Sequence, residues 1–296
     1  MKKILITGIN GFLGSHLSKL LKSNFEVIGL EYSTDNLFRI SDDNFKVYSS
    51  KNRSLENIFK ENNFFAVFHV ATVYRRKEDP IKHMLNTNIM LPVRLLELSN
   101  LNHVKIFVNT DSFFNNPNYS YSYLSDYTLS KKHTIDWIKL LSTSSKCKVV
   151  NMKIFHMYGE NDSPGKFVPQ ILNKIINNYP KIDMTPGLQT RDFIYVNDVV
   201  EAFKCVIINF KNLKNYQDFE VGTGKSFSIK YLVNTIKEIT KSKTEFNFGA
   251  LPYRKGEIMT AKAENFELLM IGWSPNQNLY KSLQTYIKNQ YENFDI

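Results

Sequence analysis

The sequence predicts an α/β protein, an open doubly wound parallel sheet with a smaller interleaved α/β lobe. Three observations carry that expectation. Short apolar runs alternate with helical patterns through the N-terminal half. A turn with three regularly spaced glycines follows the first apolar run. The alternation ends after about Gly159, where stretches containing Pro and Gly interrupt shorter elements.

Taken in order, residues 3–7 and 25–30 read as buried strands, with an apolar helix at 13–21 between them. Further strands are expected at 65–70, 105–109 and 148–154, and helices at about 84–100 and 127–142. Parallel neighbours need crossover helices, so this order implies helices on both faces of one sheet. Beyond it, a breaker at 161–165 leads to a helix at 167–177, and a second breaker covers 179–187. A strand at 192–196, a helix from about 197, a strand near 219–221 and an amphipathic helix at 279–291 complete the pattern. No internal repeat, low-complexity tract or flexible linker stands out. The expected division is a first domain over 1–165, with about 190–225 returning to it, and a second lobe over 166–189 and 226–296.

Composition narrows the class. In 296 residues, 43% hydrophobic and 22% charged is ordinary for a globular protein with a sizeable core. No segment has the apolar length that spans a bilayer. The start, Met1-Lys2-Lys3-Ile4-Leu5-Ile6, faintly imitates a secretion signal, but its apolar run stops at Thr7-Gly8 with no small-residue cleavage site. A first strand in a cytoplasmic protein is expected instead. Cys147 and Cys205 form no C-x-x-C pair, and the six histidines lack metal-ligand spacing, so neither a disulfide framework nor a metal is expected. The net charge of +10 comes from dispersed lysines without a basic block, so no nucleic-acid partner is expected.

The first chemical motif is Thr7-Gly8-Ile9-Asn10-Gly11-Phe12-Leu13-Gly14. Gly8 permits a tight turn, Gly11 lets backbone approach a pyrophosphate, and Gly14 lets the helix pack closely. The helix N-terminus then offers free N–H groups and the positive end of its dipole. This predicts an NAD(P)-binding domain of the Rossmann type. Glu31 ends the second strand, where an acid can accept bonds from both adenosine-ribose hydroxyls and repel a 2′-phosphate. It favours NAD(H) over NADP(H), although Arg39 lies close in sequence. The second motif is Tyr127-x-x-x-Lys131, whose spacing puts both side chains on one helix face. An ammonium there can stabilise a phenolate and make Tyr127 a usable acid or base. With 16 tyrosines about two such matches arise by chance, yet only this one occurs. It follows the strand that ends in Thr110-Asp111-Ser112, whose hydroxyls can hold a reacting oxygen.

Together, T-G-x-x-G-F-L-G, V-F-H-V-A, N-T-D-S, Y-x-x-x-K, Y-G, R-D-F-I-Y-V-N-D-V and V-G-T-G resemble the extended short-chain dehydrogenases/reductases, the NAD-dependent epimerase/dehydratase family, over essentially the whole chain. Within it the chain is most similar to reductases of 4-keto sugar nucleotides that carry a CDP-linked 3,6-dideoxy sugar. The closer likeness lies in 108–114, 189–193, 246–250 and 256–259. The resemblance implies Thr110, Tyr127 and Lys131 as the catalytic set. It places Gly8, Asn10, Gly11, Phe12, Leu13, Gly14, Glu31, Val70, Ala71 and Asn88 around the cofactor, together with Tyr127 and Lys131. It places Asp111, Ser112, His156, Phe167, Val168, Arg191, Arg254 and Glu257 about the substrate, with the two arginines on the diphosphate and Glu257 near the nucleotide ribose.

One departure matters. Sugar-nucleotide 4,6-dehydratases read Thr-Asp-Glu at the strand end, and the glutamate removes the C5 proton. Ser112 replaces it here and lacks that basicity. The resemblance therefore implies NAD(P)H-dependent reduction of a C4 ketone on a nucleotide-linked 4-keto-6-deoxy or 3,6-dideoxy sugar, in deoxysugar synthesis for surface polysaccharide. A 4-epimerase with tightly bound NAD uses the same triad and stays the alternative. The expected partner is the nucleotide-diphosphate sugar, and a homodimer is compatible with it.

Overall fold

The computed structural model describes residues 1–75, 79–117, 119 and 124–291. They fall into two compact units. The first takes in Met1–Asn116, Tyr123–Ile154 and Val200–Phe219, and the second Pro117–Ser122, Phe155–Val199 and Glu220–Ile296.

The first unit is a layered α/β fold. Its strands are β1 (Lys3–Thr7), β2 (Glu26–Glu31), β3 (Lys46–Ser49), β4 (Phe64–His69), β5 (Ile106–Ser112) and β6 (Lys148–Ile154). They pair in parallel in the order β3-β2-β1-β4-β5-β6, and a seventh strand, β11 (Tyr216–Val221), lies beyond β6. Ile4, Leu5 and Ile6 are wholly buried, as a strand covered on both faces requires. The helices are α1 (Phe12–Leu21), α2 (Leu55–Glu61), α3 (Ile81–Leu85), α4 (Leu91–Leu101) and α5 (Ser125–Ser142). Leu95, Leu96 and Ile138 from α4 and α5 pack with Leu5, Val67 and Phe107 of the sheet into one apolar cluster. Strand order reverses direction between β1 and β4, and open sheets of this kind take ligands at the carboxyl ends beside such a reversal.

The helix expected at 84–100 is three pieces, because a π-helical turn at Asn86–Met90 separates α3 from α4. Its centre, Asn88, is fully buried, and its hydrogen bonds explain the widening. Asn88 Oδ1 accepts from Val73 N at 2.9 Å, while Nδ2 donates to Val73 O at 2.9 Å and to Ser130 Oγ at 3.0 Å.

The second unit is built from small sheets. β7 (His156–Tyr158) pairs in parallel with β10 (Phe193–Tyr195), and β8 (Lys181–Met184) with β13 (Glu245–Phe248). Between β12 (Phe227–Ser228) and β14 (Thr260–Ala261) lies β9 (Thr190–Arg191). Asp192 ties this unit together. Its carboxylate accepts from Thr223 N and Oγ1 at 2.8 Å, Gly224 N at 2.9 Å and Ala263 N at 3.1 Å.

These pairings move the expected division. Residues 155–165, 190–199 and 220–225 belong with the second unit rather than the first. The reason is partner choice: β7 and β10 pair with each other, and β9 with β12 and β14, rather than with the seven-stranded sheet.

Candidate active site

The turn after β1 is built for close backbone approach. Gly8 has φ +66°, and a Cβ there would lie 2.8 Å from Ala71 Cα. A Cβ on Gly14 would meet Gly8 O at 2.0 Å, so only glycine lets α1 start so near the turn. Gly11 is the N-cap of α1 and supplies no side-chain cap, and the first turn contains no acid. The amides of Phe12 and Leu13 thus face the helix mouth with the dipole's positive end. That arrangement fits an anionic pyrophosphate.

Glu31 sits beside this turn, its Oε1 accepting from Asn10 N at 2.6 Å. Asn10 is also bound to the loop that follows β2: Arg39 N donates to its Oδ1 at 2.9 Å and Arg39 Nη1 to its backbone oxygen at 3.2 Å. Burial pushes the Glu31 carboxyl above its usual range, against the pull of the Asn10 amide and the Arg39 guanidinium. On the other side, Thr7 Oγ1 bonds His69 Nδ1 at 3.0 Å and accepts from Ala71 N at 3.3 Å, which holds Val70 and Ala71 against the glycine turn.

Of the expected site residues, Thr110 lies on β5 and Tyr127 and Lys131 lie on α5. Lys131 Nζ donates to Thr110 O at 2.8 Å. Burial brings the Lys131 ammonium down to about 8, and the Asp111 carboxylate opposes that fall. Thr110 Oγ1 is buried with no hydrogen-bond partner among the described residues, so a donor or acceptor stands ready for a ligand oxygen. Tyr127 is 4% exposed, and burial followed by neighbouring Tyr74 raises its phenol well above the ordinary value, while a Ser112 hydrogen bond pulls the other way. Lys131 is therefore turned to the Thr110 carbonyl, and burial favours the neutral phenol of Tyr127.

Asp111 points along the sheet. Its carboxylate accepts from Asn151 Nδ2 at 3.1 Å and Asn115 Nδ2 at 3.2 Å, and Asn151 in turn bonds Asn109 and Asp218. Ser112 also caps the short turn at Phe113–Asn115, accepting from Phe114 N at 3.4 Å. Asn151 carries no sequence signal, since a lone Asn in an apolar strand reads as an interruption.

The second unit brings Arg191 and Glu257 together. They form an ion pair whose side chains are 9% and 11% exposed. Arg191 Nη1 also donates to Thr190 O at 2.8 Å and to Ile258 O. Arg254 lies on the exposed loop before Glu257. Burial and the Arg191 charge hold His156 well below the usual imidazole range, so it is neutral, and its ring meets Phe193 edge-on. At the start of α6 (Phe167–Ile176), Phe167 is part-exposed and Val168 buried. Tyr119, which no motif marks, lies in the field of Arg191.

A dinucleotide-type turn joined to a Thr/Tyr/Lys set defines an NAD-dependent enzyme of the dehydrogenase kind. The chain belongs to the NAD dependent epimerase/dehydratase family, which residues 4–222 match. It is 36% identical over 286 residues to the CDP-abequose synthase of Salmonella muenchen, covering 96% of each chain. It is 30% identical over 292 residues to the CDP-abequose synthase of Salmonella typhimurium, covering 96% of this chain and 97% of that one. The fold superposes on the UDP-glucose 4-epimerase of Thermotoga maritima, solved with UDP-glucose, at a TM-score of 0.82 and 22% identity over 98% of both chains. Among the described residues no helix is long and apolar enough to cross a membrane.

Proposed function

We propose that the chain reduces the C4 ketone of a nucleotide-linked 4-keto-6-deoxy or 3,6-dideoxy sugar with NAD(P)H, as a CDP-abequose synthase-like enzyme of surface-polysaccharide deoxysugar synthesis. The observation that carries the reading is the end of β5, where the Thr110 hydroxyl is buried without a partner, the Thr110 carbonyl takes the Lys131 ammonium at 2.8 Å, and Ser112 bonds the buried Tyr127. A ketone reduction needs a proton donor at the oxygen that becomes an alkoxide, and the neutral phenol of Tyr127 is the acid form of that donor. The full-length likeness to two CDP-abequose synthases supports the substrate class.

The cofactor, when bound, supplies the hydride. Phe12 and Leu13 amides bind its pyrophosphate, and Glu31 takes the adenosine ribose, which favours NADH. Lys131 binds the nicotinamide ribose and carries positive charge near the developing alkoxide. Thr110 holds the ketone oxygen, and Tyr127 gives up its proton to it. Ser112 offers Tyr127 a hydrogen bond and no base, which suits reduction and not water elimination. Arg191 and Arg254 hold the diphosphate, Glu257 the nucleotide ribose, and His156, Phe167 and Val168 the rest of the sugar nucleotide. The enzyme acts in the cytoplasm on a nucleotide-diphosphate sugar, without nucleic acid.

The test is a panel of CDP-, dTDP-, GDP- and UDP-linked 4-keto sugars with NADH and NADPH oxidation followed optically. Oxidation with at least one of them, the CDP-linked sugars first, is expected. No oxidation with any, together with C4 inversion of UDP-hexoses without added cofactor, would establish the epimerase instead.

A further inference from the structure

The loop after β4 covers the proton donor in a way that none of the motifs records. The Tyr74 ring stacks on Tyr127, with centroids 4.4 Å apart and planes 28° from parallel. Stacking of this kind adds to simple burial and fixes the orientation of both rings. The adjacent Arg75 donates from Nε to Asp126 Oδ2 at 2.8 Å, and Asp126 Oδ1 accepts from Tyr127 N at 2.8 Å. Asp126 lies in the first turn of α5, whose N-cap, Leu124, has no side chain to satisfy the free amides. A carboxylate there serves the helix dipole and the arginine at once. Val73, one residue earlier, is pinned through both backbone polar atoms to Asn88. Two consecutive side chains of the loop thus grip two consecutive residues of the helix, and one of those is the donor.

We propose that Tyr74 is a positioning residue for Tyr127, and that Arg75 with Asp126 is the latch that keeps it in place. The ring fixes the phenol's direction and shuts water from one face. The proposal rests on the reading of Tyr127 as proton donor. Among the described residues, the titratable groups around Tyr127 are Tyr74 and Arg75 from the loop, Asp111 from β5, and Asp126 and Lys131 from α5, with Ser112 adding a hydrogen bond. His69, at the end of β4, is buried and held neutral by desolvation and the Lys131 charge. Of these, Tyr74 is the one whose ring lies on the Tyr127 ring, and it is 44% exposed, so it can be altered without opening the core.

The experiment measures kcat and KM for the 4-keto sugar nucleotide in the intact enzyme with cofactor, for Tyr74→Ala, Tyr74→Phe, Arg75→Ala and the double variant Tyr74→Ala/Arg75→Ala. Misplaced donors typically lose turnover by about tenfold or more, so Tyr74→Ala should lower kcat by that factor with KM little moved. Tyr74→Phe keeps the stacking ring and should restore most of the turnover. Arg75→Ala should lower kcat alone and add nothing in the double variant, because both act through one latch. The near-ultraviolet tyrosinate signal of Tyr127, isolated by subtracting the matching Tyr127→Phe protein, should emerge at lower pH in Tyr74→Ala than in wild type. Wild-type kcat in Tyr74→Ala, a loss carried wholly by KM, or Tyr74→Phe no better than Tyr74→Ala would overturn the proposal. If Tyr74→Ala does not fold, Arg75→Ala decides the matter by the same kcat criterion. Tyr127→Phe separates the two readings: full turnover there refutes the donor, whatever Tyr74 does.

Discussion

Lys131 and Asp111 are the residues whose charges bear most directly on pH dependence. The ammonium is 2% exposed, and burial brings it to about 8 with Asp111 resisting. Lys131 is charged below that value and neutral above it, so an interaction that needs the ammonium is present at low pH and lost as pH rises. The pH dependence of kcat/KM reports groups of the free enzyme, and it should fall above pH about 8. Asp111→Asn removes the carboxylate that keeps the proton on Lys131, so the fall should move to lower pH; a profile that stays put in that variant would contradict the coupling. Glu31 bears on the choice of cofactor. Its carboxylate already holds the Asn10 amide at 2.6 Å, which fixes it beside the turn. A 2′-phosphate there meets a negative neighbour, worth roughly 1–3 kcal/mol. Glu31→Ala should raise the ratio of NADPH to NADH kcat/KM by roughly tenfold or more, and an unmoved ratio would show that Glu31 does not choose the cofactor.

Strands β9 and β14 together with the 251–257 loop set the two arginines in different surroundings. Arg191 leaves β9 into a buried pair with Glu257. Arg191→Ala strands that carboxylate, and breaking a buried pair destabilises by about 3–5 kcal/mol. Arg254 is exposed, and Arg254→Ala should change stability by only about 0.5 kcal/mol or less. Thermal unfolding should therefore drop sharply for Arg191→Ala and barely for Arg254→Ala, while Arg254→Ala weakens sugar-nucleotide binding by about 2 kcal/mol. Equal Tm losses would contradict the burial difference. At this scale the sequence was readable where a local period exists. β1, β6 and the start of α6 fall where the apolar runs put them, because burial on both faces leaves a continuous apolar stretch. β3 and α2 passed unread: Lys46–Ser49 is only four residues, with a polar residue at each end. The π-helical turn at Asn86–Met90 was invisible for a different reason, since its cause is a contact between Asn88 and Val73 in another segment.

The molecule as a whole was legible as a class and less so as an assembly. Glycine spacing and the Tyr127–Lys131 pair announce a dinucleotide enzyme because each needs particular residue types at fixed local offsets. The Arg191–Glu257 pair, the Asp111–Asn151–Asp218 chain and the Tyr74–Tyr127 stack join residues 40 or more apart, and no pattern along the chain encodes such partners. The same holds for the division into units, which turns on whether β7 and β10 choose each other or the large sheet. What remains for the whole enzyme is the direction of its chemistry. The direct test is a reaction of the 4-keto sugar nucleotide with cofactor carrying deuterium at the transferable position of its reduced nicotinamide. Reduction predicts deuterium at C4 of the product and one cofactor oxidised for each sugar reduced. A C4-inverted sugar formed from a 4-hydroxy substrate, with no net cofactor oxidised and no deuterium gained, would contradict it.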